Sequence, residues 1–258
     1  MSDKPIVAGN WKMNKTPQEG LSFVDECVNL LLKIKGVNVI FCPPFTALFP
    51  IESILKITPF HLAAQNVHFA EKGAFTGEIS TDMLKACGVE YVIIGHSERR
   101  HVFNEPENWL NKKVLATLQA GLKPIFCIGE TLDQRQTGET GTILNNQLRA
   151  GLQGVSEAEM TNVIIAYEPV WAIGTGVNAN TDQVADAHIV IRDILKSLYT
   201  ADIASHMAIL YGGSVKPDNS TELIGTAGVD GFLIGGAALN VDSFTTIIKI
   251  VQENYQKE

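Results

Sequence analysis

Short apolar runs of three or four residues recur along the chain without polar alternation, the pattern of strands buried on both faces. They are Ile6-Val7-Ala8, Val39-Ile40-Phe41, Leu62-Ala63-Ala64, Tyr91-Val92-Ile93-Ile94, Pro124-Ile125-Phe126-Cys127, Val163-Ile164-Ile165-Ala166, Met207-Ala208-Ile209-Leu210 and Gly231-Phe232-Leu233-Ile234. Between most of them the apolar positions switch to helical spacing. Leu21, Val24, Val28, Leu31 and Leu32 share one face between Gly20 and Lys35. Leu110, Val114, Leu115 and Leu118 do the same from Asn108 to Ala120. Val184, Ala187, His188, Ile191 and Leu195 follow suit from Thr181 to Tyr199, with Thr181 and Asp182 as the expected cap. The stretch after Gln65 is rich in glycine and polar residues and predicts a long loop before a helix.

Strands alternating with helices predict the α/β class, a parallel sheet covered by helices. From Ile6 to Gly231 the intervals average about 32 residues, one βα unit each. Eight such units closing on themselves account for all 258 residues as a single (β/α)8 barrel. A doubly wound open sheet is the structural rival. No linker, low-complexity tract or break in composition divides the chain, so residues 1–258 read as one catalytic domain.

Charge and cysteine usage then remove whole classes. Twenty basic against 28 acidic residues give a net charge of −8. No Lys/Arg-rich run accompanies it, which argues against a nucleic-acid or membrane-surface partner. No apolar stretch approaches the ~18 residues of a membrane span. The first residues lack the charged and apolar regions of a secretion signal. The four cysteines, Cys27, Cys42, Cys87 and Cys127, are far apart and form no C-x-x-C pair. Reduced thiols, a cytoplasmic protein and no zinc site are the expectation.

In a (β/α)8 barrel the chemistry lies at the carboxyl ends of the strands. After the first run come Gly9-Asn10-Trp11-Lys12, and after the fourth Gly95-His96-Ser97-Glu98-Arg99-Arg100. After the sixth come Tyr167-Glu168-Pro169-Val170-Trp171-Ala172-Ile173-Gly174-Thr175-Gly176. Gly212-Gly213-Ser214 follows the seventh, and Gly235-Gly236 the eighth. Singly, Lys12 reads as a surface lysine, His96 as a hydrogen-bonded histidine and Glu168 as a strand end. Together at one rim they read as a site. Glycine-rich turns expose backbone N–H groups and suit phosphate. A carboxylate whose pKa desolvation raises can act as general base. A neutral imidazole and an ammonium can stabilise charge developing on oxygen. The set suggests proton abstraction beside a carbonyl on a small phosphorylated substrate. With a net charge of −8, Lys12 and the loop amides must attract that anion locally. Pro169 to Gly176, with the apolar Val170, Trp171, Ala172 and Ile173 between proline and glycine, predicts a lid that excludes water. A loop packed permanently on the barrel is the alternative.

Gly9–Asn14, Ile94–Arg100, Ala166–Gly176, Tyr211–Val215 and Gly231–Ala237 closely resemble the motifs of the triosephosphate isomerase family, in order and along essentially the whole chain. The resemblance implies a TIM barrel that interconverts dihydroxyacetone phosphate and D-glyceraldehyde 3-phosphate without cofactor or metal, a step of glycolysis and gluconeogenesis. It implies Glu168 as the base and His96 as the neutral electrophile, with Lys12 and Asn10 holding substrate and enediolate. Ser97 would support the open-state carboxylate, and Glu98 would lie near Lys12. Amides of Gly174, Ser214, Gly235 and Gly236 would grip the phosphate. Gln65-Asn66 and Gly73–Glu78, with Thr76, Gly77 and Glu78 among them, resemble the family's dimerisation loop. A homodimer follows, with Thr76 buttressing the other subunit's site. Cys127 reads as structural. Val177, where the family often has lysine, is a departure expected to alter lid kinetics at most. Two rivals stand beside this reading. Gly174-Thr175-Gly176-Val177-Asn178-Ala179 fits the G-x-G-x-x-A of an NAD-dependent oxidoreductase, but six residues separate it from its strand. A non-catalytic barrel binding protein is the other, against which intact Lys12, His96 and Glu168 argue.

Overall fold

The computed structural model describes residues 4–172 and 179–256. Its strands are β1 (Ile6–Asn10), β2 (Asn38–Cys42), β3 (His61–Ala64), β4 (Tyr91–Ile94), β5 (Lys123–Ile128), β6 (Ile164–Tyr167), β7 (Ile209–Tyr211) and β8 (Gly231–Ile234). Each pairs in parallel with the next, and β8 pairs with β1, giving a closed barrel in sequence order. The open-sheet alternative is thereby excluded. The apolar runs are unbroken because both strand faces are buried. Ile6, Ala8, Ile40, Ile93, Ile125, Ala166 and Leu233 fill the interior. Val7, Val39, Phe41, Val92, Phe126 and Ile165 belong to the outer core shared with the helices.

The seam between β8 and β1 depends on a glycine. Gly231 has φ 144°, and a Cβ there would stand 1.9 Å from the Ile6 carbonyl oxygen. Only a residue without a side chain lets the last strand come close enough to pair with the first.

The helices follow the predicted periodicity with two corrections. The first spans Pro17–Leu31, with a capping box between Thr16 and Glu19, and it ends before Leu32. Leu32 therefore lies off the buried face and is 71% exposed. The helix Thr181–Leu198 is capped by Asn180, whose side chain accepts from the Gln183 N–H at 2.8 Å, rather than by Thr181 or Asp182. Asn180 is extended, as an N-cap must be, whereas the next two residues are already helical. The polar stretch after Gln65 is a loop up to the helix Thr81–Ala86, as expected. Among the described residues no helix is long and apolar enough to cross a membrane.

His188 sits on the inner face of that capped helix, fully buried. Its Nδ1 lies 2.9 Å from the Gly228 carbonyl, and its ring meets Tyr167 edge-on at 5.9 Å. Burial pulls its pKa down to about 4 from the ordinary 6.5, with the Gly228 carbonyl opposing and Arg192 adding to the fall. The unfolded chain takes up this proton below its ordinary value, and the fold resists it until about pH 4. The neutral ring's contribution is thus complete above pH 6.5 and is lost as pH falls towards 4. At fixed protein concentration, His188→Gln should lose roughly 2 kcal/mol less stability than the parent between pH 7 and about 4.5. Urea unfolding at the two pH values checks this; equal losses would contradict it.

Candidate active site

Asn10 ends β1, and the chain then turns sharply so that Lys12 faces the barrel mouth. Lys12 has φ 53°, a left-handed conformation costing a non-glycine residue about 1–3 kcal/mol unless its surroundings hold it. They do. Its N–H donates to Asn10 Oδ1 at 3.0 Å, and its carbonyl accepts from Gln65 Nε2 at 2.9 Å. Gln65 Nε2 also reaches the Cys42 carbonyl at 2.9 Å, tying the ends of the first three strands together. The Lys12 ammonium forms an ion pair with Glu98 Oε1 at 2.7 Å.

His96 follows β4 and caps the helical turn Ser97–His101 through its side chain. Its Nδ1 accepts from the Glu98 N–H at 3.2 Å, so Nε2 is the protonated nitrogen of the neutral ring. Nε2 lies 2.9 Å from Glu168 Oε1. The other Glu168 oxygen accepts from the Ser97 N–H at 2.9 Å. Glu168 itself, directly after β6, is only 2% exposed.

These contacts set the balance of charge in the pair. Burial does push the Glu168 pKa upward, but the His96 ring, the Ser97 amide and the Lys12 charge together draw it below the ordinary carboxylate value. Burial likewise lowers His96, yet the adjacent Glu168 and Glu98 carboxylates bring it net upward. In this arrangement His96 holds the Glu168 carboxyl down and Glu168 holds the His96 imidazole up. A substrate oxygen placed between them would remove that mutual support, leaving burial to raise the carboxylate and keep the imidazole neutral.

Asn10, Lys12, His96, Glu168, Gly212–Lys216 and Gly235–Ala237 line one cavity of about 560 Å³. The structure therefore brings Asn10, Lys12, His96, Glu168, Ser214, Gly235 and Gly236 to one cavity, while Ser97 and Glu98 stand behind it in contact with Glu168 and Lys12. Ile173, Gly174, Thr175, Gly176 and Val177 lie outside the described residues. The residues just before them are tied down. The Val170 N–H donates to the Glu130 carbonyl at 3.1 Å, Val170–Ala172 forms a 3-10 turn, and Trp171 and Ala172 are buried.

Gln65 and Asn66 are anchored within the chain, Asn66 accepting from the buried Lys113 ammonium at 2.8 Å. Thr76, Gly77 and Glu78 form the exposed tip of the same loop. Cys127 is fully buried, and burial pushes its thiol well up, as a structural cysteine requires. Among the described residues no group of three or more histidine, cysteine, aspartate or glutamate side chains could hold a metal ion.

The strand-end signal also marks Gly129 and Glu130 after β5, which the sequence reading passed over as site residues. Glu130 is fully buried and accepts from the Tyr167 hydroxyl at 3.1 Å, the Trp171 indole at 3.0 Å and Arg135 at 3.1 Å. Gly129 lies so near Glu168 that a Cβ would stand 1.7 Å from the Glu168 carbonyl oxygen.

Fold and site together define a barrel enzyme equipped for proton transfer on a small anionic substrate. The triosephosphate isomerase family profile matches residues 5–251. The triosephosphate isomerase of Carboxydothermus hydrogenoformans is 50% identical over 246 residues, covering 95% of this chain and 98% of that protein. That of Geotalea uraniireducens is 48% identical over the same shares of the two chains. The crystal structure of triosephosphate isomerase from Bartonella henselae is similar with a TM-score of 0.87 at 40% identity, covering 96% of this chain and 98% of that one. The chain belongs to the triosephosphate isomerase family and is an isomerase.

Gly129→Ala should displace the Glu168 backbone and lower turnover by about 10²-fold, the cost of misplacing a reacting group by ~1 Å. Steady-state kinetics on folded protein checks this; parent-like turnover would show that Gly129 does not fix Glu168.

Proposed function

We propose that this protein interconverts dihydroxyacetone phosphate and D-glyceraldehyde 3-phosphate by moving one proton between adjacent carbons. The observation that carries the reading is the buried Glu168 carboxylate in direct contact with His96 Nε2 at 2.9 Å, at the floor of a cavity rimmed by glycine-rich turns. Glu168 takes the proton from the carbon beside the carbonyl. His96 polarises the carbonyl oxygen through Nε2–H and passes protons between the two oxygens of the enediolate. Lys12 offsets the charge that builds on those oxygens, and Asn10 holds both Lys12 and substrate. Ser214, Gly235 and Gly236 supply amides to the phosphate, with Gly174 joining from the lid. One oxidised and one reduced carbon exchange states within the same molecule, so the reaction is an intramolecular oxidoreduction. Every step uses a proton, an N–H group or an ammonium, and it calls on no cofactor or metal.

The same reading makes the protein a cytoplasmic homodimer acting on a small phosphorylated triose. Support comes from apolar side chains exposed in the segments that follow β1, β3 and β4: Met13, Phe75, and Val102 and Phe103. A partner subunit that covered them together would bury one apolar patch. Thr76 of one subunit then braces the partner subunit's Asn10 and Lys12.

The test is isomerase activity on D-glyceraldehyde 3-phosphate with EDTA present, read through a coupled dehydrogenase, on material whose sedimented mass is twice 28.0 kDa. The parent should turn over, Glu168→Asp should be about a hundredfold slower or worse, and Glu168→Ala should be silent. Full activity in folded Glu168→Ala would remove Glu168 from the chemistry.

A further inference from the structure

Two residues of the loop after β1 adopt positive φ although neither is glycine, Lys12 at 53° and Lys15 at 69°. Lys12 lines the cavity, and Lys15 does not. Lys15 instead reaches across the chain. Its Nζ donates to the Leu239 carbonyl at 3.0 Å, where the short helical turn Gly236–Leu239 ends. Its ammonium also stands 4.4 Å from the centre of the Phe23 ring and 5.9 Å from that of Trp11, so charge–ring attraction orients it.

The place matters because the barrel closes here. Pairing between β1 and β8 ends at Gly9 and Ile234, so the backbone ladder does not set the separation of the two loops beyond it. On the cavity side those loops meet at Lys12 and Gly235, where a Cβ on the glycine would stand 3.4 Å from Lys12 Cε. Away from the cavity they meet at Lys15 and Leu239. A loop with two left-handed residues in four positions holds its shape only while its surroundings over-determine it.

We propose that Lys15 is a positioning residue for the isomerase reaction: by clipping the loop after β1 to the loop after β8, it sets the distance between the Lys12 ammonium and the Gly235–Gly236 amides. The inference rests on the phosphate-binding reading of that cavity. Lys15 touches no substrate. It fixes the gap into which the substrate's phosphate end must fit.

Lys15→Met keeps an apolar stem over Phe23 and Trp11 while removing the amino group, and Lys15→Arg keeps the donor and the charge. The readouts are KM, kcat and competitive inhibition by inorganic phosphate, with thermal melting as the control for folding. Lys15→Met should raise KM and the phosphate inhibition constant by about tenfold, with a smaller change in kcat, and Lys15→Arg should restore both to near the parent. The difference should persist at ~0.5 M salt, where a remote charge is largely screened. A Lys15→Met enzyme with parent KM and phosphate inhibition overturns the proposal, whatever its melting temperature. So does a difference that disappears at high salt, which would make Lys15 only a distant charge. If Lys15→Met does not fold, Lys15→Gln carries the same comparison. Lys12→Met is measured alongside; unchanged phosphate inhibition in that variant would sink the phosphate reading itself, separately from the clip.

Discussion

A carboxylate that is 2% exposed must be met by N–H groups, and most of the barrel mouth is arranged around meeting Glu168. One oxygen is held by His96 Nε2 and the other by the Ser97 N–H, both from the end of β4, although Glu168 itself ends β6. Two strand ends must therefore be set at a fixed separation, with β5 between them. The closed barrel does this through strand pairing, and Gly129 does it locally by letting β5 and β6 approach closely at the rim. The carboxylate is thus a constraint on the fold as much as a product of it.

From Glu168 the interactions run on without a gap. His96 meets Glu168 through Nε2 and the Glu98 N–H through Nδ1, and the Glu98 carboxylate pairs with Lys12, so a chain of polar contacts connects the ends of β6, β4 and β1 around one cavity. In the proposed reaction Lys12, His96 and Glu168 are the groups the substrate must reach. Displacing the Lys12–Glu98 pair frees an ammonium for the substrate. Separating Glu168 from His96 would remove the contact that holds the carboxyl down, leaving a stronger base beside a neutral donor. The site therefore holds its charges in mutual contacts, and Trp171, close after Glu168, is fixed to Glu130.

The barrel was legible because strands buried on both faces leave continuous apolar runs, and because the chemistry of such barrels stands right after those runs. Asn10, Lys12, His96 and Glu168 stand just after such runs, and the four line one cavity. What stayed hidden depends on distances between remote segments. Gln65 reads as part of a polar loop, and nothing in its neighbours tells that its amide grips Lys12, 53 residues earlier. The direction of the Glu168 shift is hidden for the same reason, since the two donors that outweigh burial come from another strand end. Leu32 was placed on a buried face because helical spacing continues past the residue where the helix stops. Gly129 was the avoidable omission, since it occupies the same strand-end position that exposed the others.

The account stands on Glu168 carrying a proton, rather than hydrogen passing directly between carbons. Deuterium content of the product after a single conversion in heavy water tests this most directly, because a carboxylate exchanges its proton with solvent. The account predicts deuterium at the carbon that receives hydrogen, at no more than one atom per product molecule and in proportion to exchange during the intermediate's lifetime. Product formed at full rate with no deuterium at that carbon would contradict it, placing the transfer in a direct shift that leaves Glu168 without its role.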